Sequence, residues 1–439
     1  MSALTVARPR PRLGFSALHH RDFRFYVTGA TLSMMADNIE HVITYWVLWQ
    51  TFQSPLLAGF AVISHWLPFL LLSVYFGALA DKYDCRRLIQ ASQGLFMLVS
   101  ISWGVLFFSG QLQMWHAMVL LSVHGMAGAI WSPPEQLMLH DIVGRDELTS
   151  AVRLNATGKM LGILMGPAVG GIILLLAGPA VGIMINALIY LPLSLSLLRI
   201  KSTGHQHGAE ARKLSFAGAW RTVIESGSNR AIFSMIAMAG MASFLIGSFT
   251  PQMPEFARDL ASGDAGRGYT MLLIAGGLGA VLGGLALEIT GATKVTVNMA
   301  LAGAALWGAS VAGFGLSHSF PAALVFLFVA GIGQLSFSSI AQTIVQLQAP
   351  AHKRGQLVGA FSMAQAGMKS GAGVSVGVVG SAIGIHPALG LSAILTVALA
   401  VGMYVYSNAG PMPQPAYAES YADGELGAAL VPEEPPACC

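Results

Sequence analysis

Charge is the scarcest property of this sequence. Asp, Glu, Lys and Arg make up 10% of its 439 residues, against roughly a quarter in soluble domains, which argues against a soluble enzyme or a basic nucleic-acid-binding surface. The formal net charge of +3 is small and its basic residues are scattered among loops, so no nucleic-acid partner is expected. Cysteine is nearly absent. Of the three present, Cys85 stands alone and Cys438 and Cys439 end the sequence, so neither a disulfide framework nor a metal-type spacing exists. The opening MSALTVARPRPR has no apolar core beside a cleavage site, and no cleaved signal peptide is expected. Also missing is the polar-apolar alternation over segments of about 10 residues that a transmembrane barrel requires. No acid, base and nucleophile fall in a recognisable arrangement, so the chain is not expected to be an enzyme, and no bound cofactor is expected.

What is abundant is apolar. Hydrophobic residues make up 54% of the chain and the mean hydropathy is +0.65. A spanning helix needs about 20 mostly apolar residues. Segments of that kind begin near Phe25, Leu56, Leu88, Trp115, Thr149 and Val181, and again near Ala231, Tyr269, Val295, Pro321, Gly355 and His386. The pattern predicts an all-α membrane protein of twelve transmembrane helices in two pseudo-symmetric six-helix bundles, residues 25–200 and 231–407. Residues 1–24 form an N-terminal cytoplasmic segment and 201–230 a cytoplasmic linker, in which LSFAGAWRTVI at 214–224 has the apolar spacing of an amphipathic surface helix. The Pro-, Ala- and acid-rich tail, 408–439, is expected to be disordered. Lys and Arg fall almost entirely on the side of the two termini, leaving only Arg258 and Arg267 opposite. Both termini are therefore expected inside.

Ionisable residues at membrane depth usually face an aqueous cavity and mark an ion or substrate path. Asp37, Glu40 and His41 lie halfway along predicted helix 1, and their i, i+3, i+4 spacing puts them on one face. Thr44 and Tyr45 continue that stripe. An imidazole beside two carboxylates suits a proton site, with protons as the coupling ion. The same trio is a ligand set for a first-row divalent ion, but predicted helix 7 has no His or Cys in its apolar part to complete it, so metal is the lesser reading. Lys369, at mid-depth in predicted helix 11, has no acid beside it in sequence. It is expected either as counter-ion to Asp37 or Glu40 or as an anchor for an anionic substrate, whereas Lys159 is expected to snorkel to the interface. Trp46, Trp49, His65, Trp66, His124, Trp131 and Gln252 are candidates to line a cavity that stacks an aromatic ligand, although each alone equally suits packing.

Two motifs organise the rest. Gly77 to Arg87 reads GALADKYDCRR and forms a short charged hairpin between predicted helices 2 and 3, where Gly77 permits close helix approach. Asp81 can then face the N-terminal dipole of predicted helix 11, which starts at Gly355, while Lys82, Arg86 and Arg87 neutralise the cluster. The second half repeats it as GLALEITGATK, with Glu288 in place of Asp81 and Lys294 in place of Arg87. Predicted helix 5 holds GKMLGILMGPAVGG. Glycines at 158, 162, 166 and 170 recur every four residues as one smooth ridge, and Pro167 removes a backbone donor.

The hairpin resembles the loop signature of the major facilitator superfamily, in which it is implied to latch the cytoplasmic side. The set Gly158, Gly162, Gly166, Pro167, Gly170 and Gly171 resembles the antiporter motif of proton-coupled exporters in that superfamily. Over most of its length, including FSALHHRDFRFYVTGATLSMMADNIEH, HDIVGRDELTSAVRLNATGKMLG and QTIVQLQAPAHKRGQLVGAFSM, the chain is similar to the transmembrane secretion effector family, which includes macrolide and enterobactin exporters. The resemblance implies an exporter in the bacterial inner membrane, and the chain is expected to be monomeric. It would move a siderophore-like or drug-like amphipathic compound by alternating access with proton antiport. Asp37 and His41 also resemble the first-helix pair of ferroportin-like iron exporters, so divalent metal export is one alternative and lysophospholipid transport another. A membrane receptor or assembly factor is the non-transport alternative, and the chain has no large loop to receive a partner.

Overall fold

The computed structural model describes residues 14–204, 221, 229–247, 253–260, 265–290, 295–371 and 379–409. Among these, every regular element is helical. Seven described helices are long and apolar enough to cross a membrane. The predicted linker helix at 214–224, the tail beyond residue 409, Gln252 and Lys294 lie outside the described residues.

The first half begins with a short turn, Ser16–His19, and α1, Arg21–Phe52. Asp22 sits in the first turn of α1, where a negative charge suits the helix dipole. α2, Pro55–Lys82, starts with Pro at its first position, and the Ser54 hydroxyl accepts from the Leu57 amide at 3.3 Å. α3, Cys85–Ser109, follows after only two residues because Asp84 caps it, accepting from the Arg86 amide at 2.9 Å.

α4 runs from Met114 to Ile189 and is followed by α5, Leu191–Arg199. The apolar stretch Met114–Arg199 is 86 residues long. That corresponds to about 130 Å of helix, several times the roughly 30 Å hydrocarbon core, so it crosses more than once. The breaks fall at Gly144 and Gly178, with φ of 74° and 72°, a region that side chains with a Cβ avoid.

The second half comprises α6, Arg230–Ile246; α7, Met253–Leu260; α8, Ala265–Ile289; α9, Val297–Gly315; α10, Phe320–Gln348; α11, Arg354–Gln365; α12, Val379–Ile383; and α13, Ile385–Asn408. Predicted helix 11 is not continuous. α11 stops at Gln365 and a tighter turn, Gly367–Gly371, follows, because two glycines within five residues weaken the α-helix there. Lys369 therefore sits on this turn.

Each half has its own apolar core, one built on Phe23, Tyr26, Phe96 and Trp131 and the other on Phe256, Trp307, Phe314 and Phe337. The halves meet where α2 lies along α11 and α4 along α8. Small residues make this possible. A Cβ at Gly359 would meet the Val74 Cα at 2.9 Å, and one at Gly367 would meet the Leu70 Cα at 2.5 Å.

Candidate transport site

The stripe predicted on α1 meets a partner that the sequence alone did not assign to it. His124 of α4 places Nε2 2.9 Å from Asp37 Oδ1 and Nδ1 3.0 Å from Glu40 Oε1. When both carboxylates are ionised they can only accept hydrogen bonds, and the ring between them then donates from both nitrogens and bears the positive charge. Glu40 is 2% exposed and is bound again by the Ser100 hydroxyl, which donates at 2.5 Å, with Asn186 behind it at 3.4 Å. The chain Asp37–His124–Glu40–Ser100 thus links α1, α3 and α4 inside the first half. His41 lies beside it, Nδ1 3.8 Å from Asp37 Oδ2. Its ring packs against Tyr45 at 5.2 Å, His124 at 5.0 Å and His65 of α2 at 4.9 Å between centroids. Thr44 does not join the polar face. Its hydroxyl donates to the Glu40 carbonyl one turn back, at 2.7 Å.

Two lysines flank this centre. Lys159 Nζ lies 2.8 Å from Glu135 Oε2, and the Asn155 amide donates to Glu135 Oε1 at 3.0 Å, so a buried acid holds the Lys159 ammonium. It also stands 5.3 Å from the Trp131 ring centroid. Lys369, from the other half, places Nζ 4.8 Å from the centroid of the Trp66 ring, and the helix 1 carboxylates are bonded to His124. Trp66 in turn meets His65 edge-on at 4.5 Å. Of the cavity-lining candidates, His124, Trp131 and Trp66 cluster here. Trp46 and Trp49 are exposed on the far turns of α1.

At the hairpin end, Asp81 reaches across to the other half, where Oδ1 and Oδ2 accept from the Gly355 and Gln356 amides at 2.5 and 3.1 Å. The two backbones touch at Gly77 and Gly355, where a Cβ at Gly77 would fall 2.8 Å from the Gly355 carbonyl carbon. The expected neutralising set is different in part. Arg86 forks onto Asp84 at 2.7 Å and onto the Ile200 carbonyl at 2.8 Å, Lys82 lies over Tyr83 at 5.5 Å, and Arg87 is exposed. Asp84 holds Arg86 because it is two residues away on the same turn. Glu288 makes the reciprocal crossing. It accepts from the Phe15 amide at 2.8 Å and from the Ser150 hydroxyl, with Arg153 Nη1 4.0 Å away.

The glycine ridge backs the charged centre. Cβ atoms at Gly162 and Gly170 would meet Met35 N at 3.0 Å and Ile39 Cα at 3.2 Å, while Gly158 and Gly166 face Thr31 and Asn38. Gly171 is turned to open space. Glu135 is not among the site residues expected from the sequence, and His124 is expected there only as a lining residue. The signal available for both was an ionisable side chain inside a long apolar run.

Two long helical halves crossing a membrane, packed through glycines and joined by reciprocal acid crossings, define the major facilitator fold. The structure superposes on a single-substitution variant of the Escherichia coli fucose:proton symporter FucP with a TM-score of 0.69 at 14% identity, covering 88% of this chain and 98% of that one. An outward-facing bacterial homologue of the iron transporter ferroportin gives 0.67 at 16% identity, over 88% and 99% of the two chains. The sequence match is more specific: residues 13–420 fit the family model described as transmembrane secretion effector, and the chain belongs to that family. It is a multi-pass membrane transporter and not an enzyme. Among curated relatives, the staphyloferrin A transporter of Staphylococcus aureus is 25% identical over 168 residues, 38% of this chain and 42% of that protein. A Salmonella typhi protein named for multidrug resistance, MdtD, is 33% identical over 135 residues, 30% of this chain and 27% of that protein. The match thus spans less than half the length of either relative.

Proposed function

We propose that the protein is a secondary active exporter of a small amphipathic organic compound, siderophore-like or drug-like, driven by proton antiport across the bacterial inner membrane. The observation that carries this reading is the bonding of Asp37 and Glu40 through His124. Two carboxylates around one imidazolium leave a net negative charge in an apolar half, and an entering proton would cancel it. Such a site binds protons and cationic groups with different affinity in the two access states, which is what coupling requires.

The export direction is supported by the antiporter-type ridge and by relatives named as siderophore or multidrug proteins. With the basic side cytoplasmic, the Asp81 and Glu288 crossings close the cytoplasmic end, and the arrangement is outward-facing. Protons then reach Asp37 from outside, the crossings open, and substrate enters from the cytoplasm or inner leaflet. Lys369 and Trp66, together with Trp131, supply a cation and aromatic faces for an anionic, flat compound. The protein works as a monomer with both termini cytoplasmic and uses no cofactor besides the proton.

The test is flux in proteoliposomes with siderophores and macrolides as trial substrates. Uptake into inside-out vesicles with an acidic lumen supports the reading, and equal uptake with and without the pH gradient rejects the antiport.

A further inference from the structure

His41, His65 and His124 approach from three different helices, and their available ligand atoms all lie within 4.8 Å of one another. We propose that these three imidazoles, with Asp37 as fourth ligand, bind one borderline-soft divalent ion such as zinc or cobalt. The proposal goes beyond the exporter reading and does not depend on it.

Three features favour a metal over packing alone. His65 Nδ1 is buried and has no hydrogen-bond partner, and a buried polar atom without a partner is costly, so a ligand there removes a penalty. The rings meet edge to face, His41 with His65 at 4.9 Å and His41 with His124 at 5.0 Å, so they are not stacked face to face, and ring nitrogens of all three lie close together. Asp37 completes the set, with one oxygen 2.9 Å from His124 Nε2 and the other 3.8 Å from His41 Nδ1.

Three imidazoles and a carboxylate suit zinc, cobalt or nickel better than calcium or magnesium. Metal–nitrogen bonds of about 2.0–2.1 Å place tetrahedral ligand atoms about 3.3 Å apart, so the widest separation, within 4.8 Å, must contract by up to about 1.5 Å. On binding, His124 Nε2 exchanges its proton for the metal and the proton leaves to water. Nδ1 stays bonded to Glu40, which becomes the outer carboxylate that orients a ligating imidazole. The ion then ties α1, α2 and α4 together within the first half.

The experiment is a cobalt titration of the purified full-length protein in detergent, followed by visible absorption, with zinc as competitor. Wild type is expected to give saturable one-to-one binding with the intense spectrum of tetrahedral cobalt, displaced by zinc. His65→Ala and His41→Ala should each weaken binding at least about tenfold, while His352→Ala, at an exposed site away from the cluster, should match wild type. Thermal unfolding of each variant controls for folding. Absence of saturable binding in wild type overturns the proposal, as does undiminished affinity in either folded cluster variant. Because no gradient or substrate is involved, proton-coupled flux can stand if the metal site fails, and the metal site can stand if the flux fails.

Discussion

Asp81 Oδ1 lies 2.5 Å from the Gly355 amide nitrogen, so a side chain of the first half caps a helix of the second. Caps of this kind are worth on the order of 1 kcal/mol, which changes a two-state ratio about fivefold. Asp81→Ala should therefore move the resting population toward opening at the hairpin end. Gly77→Leu should do so more strongly, since its side chain would collide with the Gly355 backbone. A cysteine introduced at Ser132, whose hydroxyl meets Ser362 across the interface at 3.0 Å, should become more reactive from that side in both variants. Unchanged reactivity in both would remove the gating role.

Lys369 separates substrate classes. With its ammonium beside Trp66, Lys369→Met should weaken binding of a carboxylate-bearing substrate by about 1.5–3 kcal/mol, the range for a charged hydrogen bond, and leave a neutral drug nearly unaffected. Calorimetry with matched charged and neutral ligands checks this, and equal losses for both would refute the anion anchor.

Lys159 and Glu135 form an unequal pair, 28% and 1% exposed. Lys159→Met leaves a buried carboxylate uncompensated, whereas in Glu135→Gln the lysine still reaches water. The lysine variant should be the less stable in thermal unfolding, by about 2 kcal/mol, between the surface and fully buried limits. The reverse order would contradict this assignment.

The glycine ridge gives a paired contrast. Gly166→Ala must displace Asn38 or the Met35 carbonyl on α1, at an overpacking cost of about 1–3 kcal/mol. Gly171→Ala meets nothing within 4 Å and should be neutral or slightly stabilising, by up to about 1 kcal/mol. Comparable melting temperatures for the two variants would deny the ridge its packing role.

Local pattern made the halves, the hairpin and the α1 stripe legible in advance. Apolar runs mark spans by length, and Gly77 with Asp81 needs only a four-residue spacing. His124 and Glu135 acquire their meaning from partners about 84 and 24 residues away, a relation that periodicity does not encode. The same holds for Arg86, which lay within the expected cluster yet is claimed by Asp84, and for Lys369, where the glycines at 367 and 371 replace the α-helix with a tighter turn. Glu288 was visible as the repeat of Asp81, but its actual partners, Phe15 and Ser150, come from an N-terminal turn and a helix interior that the repeat does not specify.

Exchange of protons for substrate is assigned, in the proposed function, to the Asp37–His124–Glu40 unit. It is tested most directly by substrate flux in proteoliposomes under an imposed pH gradient, comparing wild type with Asp37→Asn, which removes the charge at nearly constant volume. The expected result is gradient-driven flux in wild type and none in the variant, with folding, membrane insertion and passive substrate exchange retained. Gradient-driven flux at the wild-type rate in Asp37→Asn would contradict the account.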